Sequence, residues 1–451
     1  MQNFNYINEL EDLPDILDTL VFEDEPSIFS DESAIELVQT ALHLMDEYIK
    51  DYPQIISEPD FNEILLEEIK ELFYFQMEDH IEELEDVEDD MNELLEDAFQ
   101  IFITLFYPER SINIQQHIEE LDEDEISFIE NKIQGLRDIP QPVQRTPEWY
   151  EFRSNLITAS NAWKAFESQA AINQLIYEKC QPAKIVDPDV KVINNVNTNT
   201  PMHHGQKYEP LSVMLYEYMY NTKVEDFGCI KHPTYSFLGA SPDGINVDPK
   251  SERYGRMLEI KNPVSRDITG IPKKEYWVQM QLQMEVCDLD ECDFLETKFV
   301  EYSDRTSYEV DNVSSCKKGI IIQFYNSEGI PIYVYKPLHL SSDEEVLQWE
   351  EETFAFYESG YTFIKFIYWK LEHLSCVLVL RNREWFKNNI GQLGEVWKII
   401  EKERVTGFEH RAPKSTFGKG TSKIAQFNKE KSNTELNFFQ FIKNKSTFST
   451  F

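Results

Sequence analysis

The stretch RMLEIKNP, residues 256–263, decides the architecture of this chain. Leu258 and Ile260 alternate with Glu259 and Lys261, and Pro263 ends the run. Successive side chains on a strand point to opposite faces, so Glu259 and Lys261 share one side and the two aliphatics the other. An anion and a cation on one face of a core strand make either a surface ion pair or half of a site.

Sixteen residues before the glutamate lies LGASPDGIN, a Ser-Pro-Asp-Gly turn that presents Asp243 beside a strand. Two carboxylates on adjacent strands form a hard, oxygen-rich pocket suited to Mg²⁺ or Mn²⁺. A lysine on the same face as the second carboxylate can orient a water or offset charge on a phosphate. Asp…Glu-x-Lys alone recurs by chance in an acidic chain, so the neighbouring segments carry the weight.

In HHGQKYEPLSVMLYEYMY a helix is predicted over 205–220, with Leu211, Met214, Leu215 and Tyr218 as its apolar stripe. Glu209 stands beside Pro210 at the expected first turn, either complementing the helix dipole or facing the metal as a third acid. A helix over 274–286 buries Trp277, Met280 and Met284, while Tyr276, Gln279 and Gln283 form a polar stripe that needs partners. In RTPEWYEFRSNLITASNAWKAF, Thr146 and Pro147 read as N-cap and first helical residue. Arg153 falls near that helix's end, and Ser160 reads as the cap of the next. Separately, Arg153 is a surface ion-pair residue and Ser160 a plain cap; together they suit a phosphate.

The 451 residues suffice for two or three domains. The net charge of −41 looks hostile to nucleic acid, but it is unevenly spread: residues 1–140 hold 41 acidic and 5 basic side chains. The front, 1–138, is expected to be an acidic all-α N-terminal domain, either a solvated surface or a dock for a basic partner that could also gate DNA. Prolines in GLRDIPQPVQRTPEWY mark a boundary, and 139–410 alternates helical and β-like runs, an α/β texture. Residues 411–451 are basic and read as a flexible tail, with LNFFQFI as a docking segment. Six scattered cysteines without CxxC spacing are expected to be reduced thiols. No run reaches the roughly 18–20 apolar residues of a bilayer span, and no signal peptide is visible. The expected setting is intracellular.

Five motifs in this order, EWYEFRSNLITAS, HGQKYEPLSVMLYE, GASPDGI, LEIKNPVSRD and YWVQMQLQM, resemble the phage lambda exonuclease and YqaJ-type viral recombinase nucleases of the PD-(D/E)xK, restriction-endonuclease-like superfamily. The likeness spans roughly 145–300 and weakens toward 405. It implies a mixed central sheet flanked by helices. It implies Asp243, Glu259, the Ile260 carbonyl and Glu209 around Mg²⁺ (or Mn²⁺), Lys261 as the catalytic lysine, and Gln279 and Tyr276 in support. Arg153 and Ser160 resemble a pocket for a DNA 5′-phosphate. The implied activity is Mg²⁺-dependent 5′ to 3′ hydrolysis of double-stranded DNA ends in viral DNA recombination, replication or repair, in host cytoplasm or nucleus. A single-strand annealing protein is the implied partner and a trimeric ring a family assembly. The acidic extension, the basic tail and the insertion at 180–202 have no counterpart in the compact phage enzymes, which leaves two other readings open. One is an endonuclease or RNA-directed nuclease using the same metal site; the other is a scaffold that works through the acidic lobe.

Overall fold

The computed structural model describes residues 29–77, 88–106, 110–113, 121–143, 146–182, 197–198, 200–314 and 316–413. Most of the 180–202 insertion and of the tail, including LNFFQFI, lies outside the described residues.

The fold is mixed α/β, a mixed sheet flanked by helices. Among the described residues the main sheet runs β10–β9–β11–β8–β7–β6–β3, with β1 added to β11. Inside it, β7 (Met257–Lys261) runs parallel to β8 (Glu291–Glu301) and antiparallel to β6 (Gly244–Asn246). Val224–Glu225 is β3 at one edge, and β9 (Lys318–Asn326) and β10 (Pro331–Tyr335) close the other. The long β11, Tyr361–Leu380, pairs with both β8 and β9. A small sheet orders β2 (Ile157–Thr158), β5 (Leu238–Ala240) and β4 (Ile230–Lys231).

Alternation along β7 divides the core as the sequence predicted. Leu258 and Ile260 pack with Leu295 and Tyr216, the last carried by a helix over Pro201–Tyr220. The other face lies toward a helix over Lys274–Cys287, whose Trp277, Met280 and Met284 are buried. Strand β6 approaches β3 so closely that a Cβ at Gly244 would collide with Val224. Gly255 turns β6 into β7 at φ +82°, a conformation that costs an L side chain strain.

In chain order the helices are α1 (Asp31–Asp51), α2 (Phe61–Met77), α3 (Glu88–Leu105), α4 (Glu123–Arg137), α5 (Pro147–Ser154), α6 (Ala159–Ala162), α7 (Gln169–Cys180), α8 (Pro201–Tyr220), α9 (Lys274–Cys287), α10 (Arg305–Val310), α11 (Asp343–Phe356) and α12 (Arg383–Thr406). Helices α1–α3 bury Leu42, Ile69 and Phe102 in the same apolar cluster as Trp277 of α9. Arg110 bolts the two regions together: its guanidinium donates to Ser57 O at 2.9 Å and to Pro272 O, and Trp277 Nε1 donates to Arg110 O at 3.2 Å. Residues of the front third also enter the α/β body directly, through β1 at Ile112–Asn113 and the Arg137–Glu225 ion pair at 2.7 Å.

Three local expectations change. The helix that opens at Pro147 ends at Ser154, Leu156 is buried beside β2, and the next short helix has Thr158 rather than Ser160 at its N-cap position. Helix α8 starts at Pro201, with Thr200 accepting from the His203 N–H at 3.1 Å, so Glu209 and Pro210 sit mid-helix and not in a first turn. Its buried stripe is Tyr208, Leu211, Leu215 and Tyr216, while Tyr218 is exposed because the helix is set one residue round from the expected phase.

Candidate active site

The β6–β7 ladder brings the acids together. Leu258 O accepts from the Asp243 N–H at 3.1 Å, and the Ile260 N–H donates to Asp243 Oδ2 at 2.7 Å. That register sets Asp243 at the mouth of β6, next to Glu259 on β7. Glu259 is 1% exposed, and both its oxygens are held. Lys261 Nζ donates to Oε1, as does Gln279 Nε2 at 2.8 Å, and Gln283 Nε2 donates to Oε2 at 2.7 Å. The two glutamines lie one helical turn apart on α9, the i, i+4 spacing that puts both over the same strand. Lys261 Nζ also lies 4.9 Å from the Tyr276 ring centre.

These residues floor a cleft of about 240 Å³ lined by Asp243, Glu259, Ile260, Lys261, Gln279 and Gln283, with Glu209 at its exposed mouth. Arg153, Thr158, Ser160 and Ser241 line the same cleft. Arg153 donates to Ser241 Oγ at 2.8 Å and rests on Trp149, 4.7 Å from its ring centre. Ser160 Oγ is 3.4 Å from Thr158 Oγ1. Of the candidate site residues, Arg153, Ser160, Glu209, Asp243, Glu259, Ile260, Lys261 and Gln279 line one cleft, and Tyr276 stands beside Lys261. Ser241 was not singled out, although it sits in the quoted Ser-Pro-Asp-Gly turn; its contact with Arg153 depends on the parallel pairing of β2 with β5, which no local pattern reports.

The electrostatics suit a cation. Burial, then Glu259, then Glu209 push the Asp243 carboxyl well above the usual carboxylate range, with Lys261 opposing them. Burial opposes the Lys261 charge, but Glu259 and Asp243 outweigh it and hold its acidity below that of a free lysine. Three acids against one lysine leave surplus negative charge. Among the described residues no group of three or more His, Cys, Asp or Glu is gathered as a metal cage. Mg²⁺ does not require one: it takes one or two carboxylates and fills its octahedron with water and substrate phosphate. The oxygen donors of Asp243 and Glu259 fit that ion.

The segment carrying these residues is similar to a known family: the model of the YqaJ-like viral recombinase domain matches residues 148–290. A relative, an uncharacterized protein of Acanthamoeba polyphaga mimivirus, is 28% identical over 312 residues, which is 60% of this chain. The chain spans about half the length of that relative, 54%. Among solved structures, the alkaline exonuclease LHK-Exo from Laribacter hongkongensis is 20% identical, with 58% of this chain and 99% of that one covered at a TM-score of 0.33. The same exonuclease in complex with dAMP gives 57% and 94% at the same TM-score. No helix among the described residues is long and apolar enough to cross a membrane.

Proposed function

We propose that this chain is a metal-dependent exonuclease that degrades double-stranded DNA from its 5′ ends, within viral DNA recombination. The single observation that carries the reading is the convergence of Asp243, Glu259 and Lys261 in one cleft that Arg153, Ser160 and Ser241 also line.

Asp243 and Glu259, with the Ile260 backbone, are the residues that would hold Mg²⁺, and Glu209 would face it from α8. When bound, such an ion polarises the phosphate and lowers the pKa of the attacking water. Lys261 orients that water and offsets charge building on the phosphate oxygens. Gln279 and Gln283 fix the Glu259 carboxylate, so little reorganisation remains for the transition state. Tyr276 walls the lysine.

Arg153 offers a fork of N–H donors to a terminal phosphate, and Ser160 and Ser241 offer hydroxyls. A terminal phosphate seated there sets the distance to the scissile bond, which favours an end-reading enzyme over one that cuts internally. A duplex resected in this way exposes a 3′ overhang, the substrate of a single-strand annealing protein.

The test is a substrate panel with Mg²⁺: linear duplex with and without 5′-phosphate, closed circular DNA, and RNA. Loss of the phosphorylated linear duplex alone is expected. Cutting of closed circles would replace the exonuclease by an endonuclease, and inertness on all four would move weight to a scaffold role.

A further inference from the structure

We propose that Glu296 is a positioning residue for Lys261, the carboxylate that receives the lysine's ammonium when a divalent cation claims Glu259. The inference rests on the nuclease reading and concerns a conflict on the floor of that same cleft.

Lys261 Nζ lies on Glu259 Oε1, an oxygen that the cation needs. The glutamine amides on Glu259 are neutral and can share the carboxylate with a metal. An ammonium cannot do so without repulsion. Once displaced, a half-buried ammonium needs another anion, since a charge withdrawn from water and left unpaired is costly.

Strand register supplies that anion. In the parallel β7–β8 pair Lys261 stands opposite Glu296, and Glu259 opposite Phe294. Partners in register project to the same face, with the strands about 4.8 Å apart, so a lysine stem reaches either carboxylate. The Phe294 ring lies 5.9 Å from that of Tyr276, which identifies the shared face as the one under α9.

Glu296 is 1% exposed. Arg266 holds its Oε1, while Oε2 is buried with no hydrogen-bond partner among the described residues. Native structures seldom leave a buried carboxylate oxygen without a donor, and this one neighbours the lysine in register. Arg266 and Lys261 both lie against the Tyr276 ring, at 5.6 and 4.9 Å, so one aromatic wall spans the path between Glu259 and Glu296.

Mn²⁺ binding by the full chain without DNA, followed by electron paramagnetic resonance, tests this without turnover. E296Q is expected to weaken binding at least about tenfold, the lower range for a group that acts through a ligand's neighbour. E296Q combined with K261M is expected to regain most of that loss, because no ammonium remains to compete. Unchanged binding in E296Q would overturn the proposal. Weak binding that K261M does not rescue would overturn it too, since Glu296 would then act through packing with Arg266.

Should E296Q fail to fold, a crystal structure of the wild type with Mn²⁺ decides. Lys261 Nζ within hydrogen-bond reach of Glu296 supports the proposal, and Nζ still on Glu259 overturns it. A wild type that binds no Mn²⁺ removes the nuclease reading itself, an outcome distinct from the others.

Discussion

Gln283 on α9 donates one amide to two groups, Glu259 Oε2 at 2.7 Å and the Ser241 carbonyl at 3.2 Å. It thereby ties the buried acid to the turn that carries Asp243 and the Arg153 contact. The amide is fully buried, so its loss strands acceptors that water cannot reach. Gln283→Leu is expected to cost about 1–3 kcal/mol of stability and to lower turnover more than DNA affinity. Urea unfolding with a kcat and KM comparison checks this; a stable variant with normal kcat would remove Gln283 from the site.

Lys261→Ala removes the one ammonium on the acidic floor. By analogy with losing a preorganised donor, kcat should fall about 10²–10³-fold, with binding of a 5′-phosphorylated duplex retained. Activity within about threefold of wild type, far short of that range, would show that another group serves the water.

Arg153→Lys keeps a charge but loses the fork that reaches Ser241. The preference for 5′-phosphorylated over unphosphorylated ends is expected to shrink several-fold, while cleavage once engaged continues. Competition between the two duplexes measures it. An unaltered preference would place phosphate recognition elsewhere.

Much of this site is legible in residues 243–283, because period-2 alternation places Glu259 with Lys261 and period-3.6 spacing places Gln279 with Gln283. What was not legible depends on pairing across the chain. Glu296 carries no local signal, since only the parallel β7–β8 register sets it beside Lys261. The start of α8 was misplaced because Pro210 resembles a first-turn proline, whereas Thr200 and Pro201 form the actual entry. The stretch 361–374 did not read as strand, its apolar residues being broken by Lys365, Lys370 and Glu372, yet it forms the first part of β11 between β8 and β9.

The anionic front third also has a pH signature. Burial first, then Glu93 and Glu96, raise Asp97 to about 6 from 3.8. A carboxyl raised on folding opposes the native state when ionised, so this penalty is full above pH 6 and fades as pH falls toward 4. Asp97→Asn should therefore stabilise by about 1 kcal/mol at pH 7.5, discounted for partial exposure, and by little at pH 4. Thermal midpoints at the two pH values check it; equal gains at both would point to packing instead.

Arg110 predicts the result of trimming the chain. Its buried guanidinium serves carbonyls at Ser57 and Pro272, immediately before α9. Arg110→Ala is expected to destabilise by about 1–3 kcal/mol and to speed amide exchange at the start of α9. For the same reason, deleting residues 1–138 removes β1, α4 and Arg110 with the acidic helices. Charge-neutralising substitutions on α1–α3 are the cleaner way to ask whether that surface repels DNA. Exchange at α9 unaffected by Arg110→Ala would contradict this coupling.

The most direct measurement is anomalous diffraction from crystals of the full chain soaked in Mn²⁺. The account predicts a peak between the carboxylates of Asp243 and Glu259, within coordination distance of both and beside Ile260. A Mn²⁺ peak elsewhere, or none while Lys261 keeps its contact with Glu259, would contradict it.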